Sequence, residues 1–274
     1  MTTADHTAGT MLAMTKHPMR QKDQHFVVTG AGTGIGQAIA LRLAEEGARL
    51  SLLGRRQEPL QETKERAQAL GASVLTRSCD VRDRAQVDAA FDQAAGELGP
   101  MRGVIANAGI GGVNEPGEAD RFDDLVATNL SGSYYCLRAT QRHLMTQGVR
   151  HMVLMSSILG RIGVPGYTGY CASKTALLGL ARAMATELAD QSVQVNALCP
   201  GWVDTEMAWE GLRGLGQALG VSAQEAHSVA MRDVPLGKMS KPEEIAGMVA
   251  WLVSSDAHGV TGQGLNMNNG AFMI

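Results

Sequence analysis

A hydrophobic run ending at Thr29 leads directly into Gly30-Ala31-Gly32-Thr33-Gly34-Ile35-Gly36, and Ile35, Ile39 and Leu43 then recur at helical spacing. Glycine has no Cβ, so it allows a tight turn, close backbone approach to a ligand and close packing of helix on strand. A helix N-terminus adds unpaired N–H groups and partial positive charge, which suits the pyrophosphate of a dinucleotide. Flexible loops can be as rich in glycine, but here a strand precedes the turn and a helix follows it. Gly30, Thr33, Gly34, Ile35 and Gly36 are the candidate contacts.

A second binding signal follows the next strand, which ends Leu53-Gly54-Arg55-Arg56. In dinucleotide-binding units an acidic residue here holds the ribose hydroxyls of NAD, whereas an arginine accommodates the extra phosphate of NADP. No carboxylate is present to repel a 2′-phosphate, and Arg55, with Arg56 beside it, offers a planar fork of donors. NADP(H) is therefore preferred and NAD(H) is the alternative, although two arginines at a helix start can equally be a solvated surface. Tyr170 and Lys174 lie four residues apart, on one face of a helix. Such a pair alone is common.

The elements that must position these residues follow from hydrophobic patterning. Short β-branched or leucine-rich runs alternate with helical patterns, which predicts β-α units and a parallel sheet. Strands are expected at His25 to Thr29, Leu50 to Leu53, Val74 to Arg77, Gly103 to Asn107, His151 to Ser156, Val193 to Leu198 and Gly264 to Met267. Val87, Ala90, Phe91 and Ala94 supply a typical helix stripe. The expected architecture is α/β: one Rossmann-type, doubly wound, seven-stranded parallel sheet with helices on both faces. It occupies residues 24–274 behind a flexible extension over residues 1–23. The segment 205–233, with Gly211, Gly214, Gly216 and Gly220, interrupts the alternation. It is expected to be a substrate lid, with a mobile surface excursion as the plain alternative.

Composition narrows the classes. Glycine supplies 33 of 274 residues, yet no Gly-x-y period exists, and 45% hydrophobic against 19% charged residues can bury a core. A net charge of −3 offers no basic field, so nucleic-acid binding is not expected. Cys79, Cys136, Cys171 and Cys199 are widely spaced and the histidines are isolated, so no metal site is expected and the thiols read as reduced, in a cytoplasmic protein. No apolar run reaches the length of a membrane span.

In chain order, the Gly30/Gly34/Gly36 turn, Ala106-Asn107-Ala108-Gly109, Asn129, Ser157 thirteen residues before Tyr170, Tyr170-Cys171-Ala172-Ser173-Lys174 and Pro200-Gly201 resemble the short-chain dehydrogenase/reductase family over roughly residues 25–270. The pattern is most similar to 3-oxoacyl and polyketide ketoreductases. The resemblance implies an NADP(H)-preferring oxidoreductase that interconverts a secondary alcohol and a ketone by hydride transfer. A dehydrogenase of alicyclic, aryl or steroid alcohols is the nearer alternative, and a non-catalytic dinucleotide-binding regulatory module the farther one.

The resemblance also implies roles. Tyr170 is the general acid, and Lys174 lowers its pKa and binds the nicotinamide ribose. Ser157 bonds the substrate oxygen, with Ser156 as its decoy, and Asn129 holds a water in the proton path. As a plain alternative, Asn129 is a core amide satisfying backbone. Asp80 and Val81 match the adenine contact, Asn107, Ala108 and Gly109 the floor of the cofactor cleft, Pro200 and Gly201 its lining, and Val203 and Thr205 the carboxamide neighbours. Tyr167 and Met207 are candidates for the substrate pocket, Tyr167 being equally readable as a surface aromatic. Asn269-Gly270 departs from the paired glycines usual at the last turn. The expected partner is a small ketone or alcohol, and the expected assembly is a homotetramer or homodimer, for which Ala172, Ala176, Gly179 and Ala183 would permit close helix packing.

Overall fold

The computed structural model describes residues 19–273. Seven strands, β1 (His25–Thr29), β2 (Arg49–Gly54), β3 (Val74–Ser78), β4 (Gly103–Ala106), β5 (Arg150–Met155), β6 (Val193–Pro200) and β7 (Gly264–Met267), form one sheet in the order β3-β2-β1-β4-β5-β6-β7. Every neighbouring pair is parallel. All seven expected strands are present, and their limits move by at most two residues. β1, β4 and β6 are buried along their whole length, because helices cover both faces. β4 accordingly reads as a continuous apolar run, whereas β6 buries Gln194 and Asn196, whose side chains donate to Ala257 O and Val260 O.

On one face lie α3 (Arg84–Leu98), α5 (Gly132–Arg142) and α6 (Thr168–Glu187), whose Phe91, Leu137 and Leu177 meet Val27, Val104, Met152 and Val195. On the other, α1 (Gly34–Glu45), α2 (Gln57–Ala69) and α9 (Pro242–Leu252) bring Ile39, Leu60 and Val249 onto Phe26, Val28, Ile105 and Val153. A short α4 (Phe122–Val126) runs through a π-helical turn, Ala127–Ser131, into α5. Strand order reverses direction at β1 and β4. The two chains leaving these strands diverge to opposite faces and open a crevice at their carboxyl ends.

The interrupting segment is a helical hairpin rather than a loop: α7 (Glu206–Leu219) and α8 (Ala223–Met231). Thr205 caps α7, Gly220 ends it in the left-handed conformation at φ 67°, and Ser222 with Glu225 forms a capping box on α8. The Trp209 and His227 rings stack 5.6 Å apart across the hairpin. Most of the expected N-terminal extension lies outside the described residues. Its last five residues are anchored rather than loose: Gln21 is buried, its backbone N–H donates to Glu46 O (2.9 Å) and its side chain donates to Val253 O (3.2 Å).

Candidate active site

The glycine turn is shaped by contacts no side chain could tolerate. A Cβ on Gly36 would stand 2.1 Å from the Gly30 carbonyl oxygen, and Gly30 itself adopts φ 64°. The result is that α1 starts hard against β1. Thr33 occupies the N-cap in extended conformation, but its side chain caps nothing. The first N–H groups of α1 therefore point out of the helix without a side-chain acceptor, at partly exposed positions Gly34 and Ile35. This donor set fits a pyrophosphate.

β4 is bolted to the turn by a residue that patterning did not single out. The buried Thr29 hydroxyl accepts the N–H groups of Asn107 (3.0 Å) and Ala108 (2.9 Å), and Asn107 Nδ2 returns hydrogen bonds to Thr29 O (3.0 Å) and Gly30 O (3.3 Å). A polar β-branched residue closing an apolar strand was the available signal. Thr205 reaches the same place from β6: its methyl would lie 3.1 Å from a Cβ on Gly34. Pro200 ends β6 and Gly201 passes against Asn268. Val203 is buried and bridges to Ser240.

At the adenosine end, Arg55 and Arg56 are exposed, and neither guanidinium is hydrogen-bonded among the described residues. Asp80 is engaged by Arg82, whose Nη2 lies 2.7 Å from Asp80 Oδ2, and this bonding holds the Asp80 carboxyl below its usual pKa. Val81 is buried against Gly132.

Ser157, Tyr170, Lys174 and Asn129 converge on the same end of the sheet, although they come from β5, α6 and the π-turn. Ser157 lies two residues past the end of β5 and caps a short 3-10 turn, its hydroxyl accepting the Leu159 N–H (3.2 Å). Ser156 faces away: its hydroxyl donates to the Lys174 carbonyl (2.8 Å), so the decoy fastens β5 to α6 instead of facing the cleft. Burial raises the Tyr170 phenol pKa, and hydrogen bonding to Ser157 opposes the rise. Lys174 is 5% exposed; its Nζ donates to Met155 O (2.8 Å) and lies 5.5 Å from the Tyr170 ring centroid. Burial lowers Lys174 to about 8.

One expectation changes here. The ammonium was expected to pull the phenol pKa down, but it sits over the ring and bonds a carbonyl, so burial dominates. Tyr170 is thereby a phenol that keeps its proton at neutral pH.

Asn129 sits in the π-turn, fully buried. Single π-turns within α-helices concentrate at functional sites. Its Oδ1 accepts the Ile110 N–H (2.9 Å), while Nδ2 donates to Ile110 O (3.0 Å) and Ser173 Oγ (3.1 Å). The amide thus satisfies the Ile110 backbone and also lies beside the site. A Cβ on Gly109 would meet Asn129 Oδ1 at 3.0 Å and Lys174 Nζ at 3.2 Å, so both groups flank that glycine.

Across the cleft, Met207 at the start of α7 is 46% exposed, and its sulfur would lie 3.2 Å from a Cβ on Gly111, which would in turn sit 3.8 Å from Tyr170 Cε2. Met207 and Tyr170 therefore face one gap. The Tyr167 ring meets Tyr170 edge-on at 6.5 Å. Among the described residues no cluster of His, Cys, Asp or Glu could hold a metal, and no helix is long and apolar enough to cross a membrane.

A family model described as "Enoyl-(Acyl carrier protein) reductase" matches residues 30–271. A putative ketoacyl reductase of Streptomyces coelicolor is 34% identical over 91% of this chain and 97% of its own. Levodione reductase of Leifsonia aquatica is 34% identical over 90% and 93%. Among solved structures, a variant of actinorhodin polyketide ketoreductase with NADPH superposes with a TM-score of 0.87 at 33% identity, over 92% of this chain and 98% of that one.

Proposed function

The chain belongs to the short-chain dehydrogenase/reductase family, and from that premise we propose that it reduces a 3-oxoacyl or polyketide-type ketone with NADPH in preference to NADH. It is an NAD(P)-dependent oxidoreductase that interconverts a ketone and a secondary alcohol. The observation that carries the substrate reading is the gap between Tyr170 and Met207, at which Gly111 presents no side chain.

When bound, the dinucleotide would supply the hydride. The N–H groups at the start of α1 would hold its pyrophosphate, and the exposed Arg55 fork would meet a 2′-phosphate. Ser157 Oγ orients the substrate oxygen and stabilises the charge that develops there. Tyr170 Oη, protonated because burial raises its pKa, delivers the proton to that oxygen. Lys174 binds ribose hydroxyls and, with Asn129, leads the replacement proton inward past Gly109. The hairpin α7–α8 carries Met207 over the substrate and excludes water. The exposed small residues of α6, Ala172, Gly179 and Ala183, are the surface for a dimeric or tetrameric assembly.

The test is a panel of an acetoacetyl thioester, a cyclic diketone and an aryl ketone, each with NADPH and NADH. Fastest turnover of the thioester with NADPH is expected, as is an Arg55→Asp variant that weakens NADPH binding at least about tenfold while sparing NADH. Equal loss with both cofactors would remove Arg55 from the phosphate site, and a preference for the aryl ketone would replace the substrate class.

A further inference from the structure

The geometry points to Asn114 as a positioning residue that holds the Tyr170 helix, the substrate-facing loop and the Asn129 helix in register. It lies in the long connection from β4 to α4, seven residues beyond Asn107, and is 7% exposed. Its backbone N–H donates to Gly166 O (2.9 Å), just before α6. Its side-chain Oδ1 accepts the Gly169 N–H (2.7 Å), one residue from Tyr170, and the Thr168 hydroxyl (3.1 Å). Nδ2 lies 2.9 Å from Thr168 Oγ1 and donates to Asp120 Oδ1 (3.1 Å), which also accepts the Phe122 N–H (2.9 Å) at the start of α4.

One amide therefore joins three pieces that nothing in local sequence connects. The first is the loop carrying Gly111, which lies between Met207 and Tyr170. The second is the first turn of α6, whose unpaired N–H groups need acceptors. The third is the start of the rod that carries Asn129 into the π-turn. Gly169 makes the approach close: a Cβ there would lie 3.0 Å from Leu125 Cδ1 and 3.2 Å from Asn114 Oδ1. Satisfying Gly169 and Asp120 together needs both an acceptor and a donor, and the asparagine amide carries them on separate atoms, Oδ1 toward Gly169 and Nδ2 toward Asp120. Asn114 touches no reacting atom in this arrangement. It acts through the direction of the Tyr170 phenol, where a misplacement of about 1 Å can cost on the order of a hundredfold in rate.

The inference rests on the family's ketone chemistry and not on the substrate class. A wrong substrate class appears in the wild-type panel, whereas a wrong role for Asn114 appears only among variants, assayed with whichever panel ketone the wild type reduces fastest. Asn114→Asp keeps the acceptor for Gly169 but sets two carboxylates together. Its kcat should fall about tenfold or more, with the NADPH dissociation constant within about twofold of wild type. Asn114→Ala should behave alike. Asp120→Asn, which can still accept from Asn114 and Phe122, should keep wild-type kcat. The exchange Asn114→Asp with Asp120→Asn restores one amide and one carboxylate and should recover kcat to within about threefold. Wild-type kcat in Asn114→Asp and Asn114→Ala overturns the proposal. So does an exchanged variant that melts and binds NADPH normally but stays slow. A loss that tracks melting temperature or NADPH affinity rather than kcat marks a purely structural role and overturns it as well.

Discussion

Lys174 Nζ lies 5.5 Å from the centroid of the Tyr170 ring, and its hydrogen bond goes to the Met155 carbonyl rather than to the phenol. The helical spacing of four brings the two side chains to one face, but the end of β5 decides which way the ammonium points. Burial then leaves Lys174 near pKa 8, charged at neutral pH and within reach of losing its proton. Tyr170 is displaced in the opposite sense, toward retention of its proton. The pair is thus set for donation from the phenol.

Tyr170→Phe removes only the hydroxyl. Turnover should fall by at least about a thousandfold while NADPH titration of the variant stays close to wild type. Full turnover in this variant would dismiss Tyr170 as the acid.

The pH profile of kcat/KM for reduction reports the free enzyme's groups. With Tyr170 raised and Lys174 near 8, the reductive rate should be level through neutrality and decline above about pH 8. In Lys174→Arg, whose guanidinium does not deprotonate in this range, the decline should disappear even though the rate is lower. An unchanged alkaline limb would assign it to another group.

Lys174 also imposes a stability signature. Its folded pKa of about 8 lies below the ordinary lysine value of 10.5, so between these pH values the unfolded chain binds more protons than the folded one. Stability of the wild type must therefore rise with pH across that window. Lys174→Met lacks this term, so denaturant titrations at pH 7 and pH 10 should show the wild type gaining on the variant. Parallel behaviour at both pH values contradicts the burial effect.

Acid sensitivity has a separate origin. Burial lowers His151 to about 3 and His25 to about 4, from the ordinary histidine value of 6.5. Below pH 6.5 the unfolded chain takes up protons that these imidazoles refuse, so stability falls as pH falls. His151→Gln should show a smaller drop in melting temperature between pH 7 and pH 5 than the wild type. An identical drop would exclude His151 as a source.

Gly36→Ala places a methyl where the Gly30 carbonyl oxygen already lies, 2.1 Å away. The turn must shift, at a cost of about 2 kcal/mol or more. The melting temperature should fall and NADPH binding should weaken together. Wild-type binding and stability would mean that the turn relaxes freely.

Features that depend only on local pattern were legible in the residues alone. Short β-branched or leucine-rich runs marked the strands, the glycine turn marked the start of α1, and the helical spacing of Tyr170 and Lys174 put them on one face. These signals survive folding because each is written within a few residues.

The tertiary structure decided what depends on partners far away in the chain. It made the 205–233 segment a capped hairpin, turned Ser156 onto the Lys174 carbonyl, and inserted the π-turn that aims Asn129 at Ile110 and Ser173. It also gave Thr29 and Asn114 their importance, since a single hydroxyl or amide in a sequence carries no mark of the donors it will meet. Hydrogen-bond satisfaction and desolvation are properties of a buried neighbourhood, and that neighbourhood exists only once the sheet has brought β1, β4, β5 and α6 together.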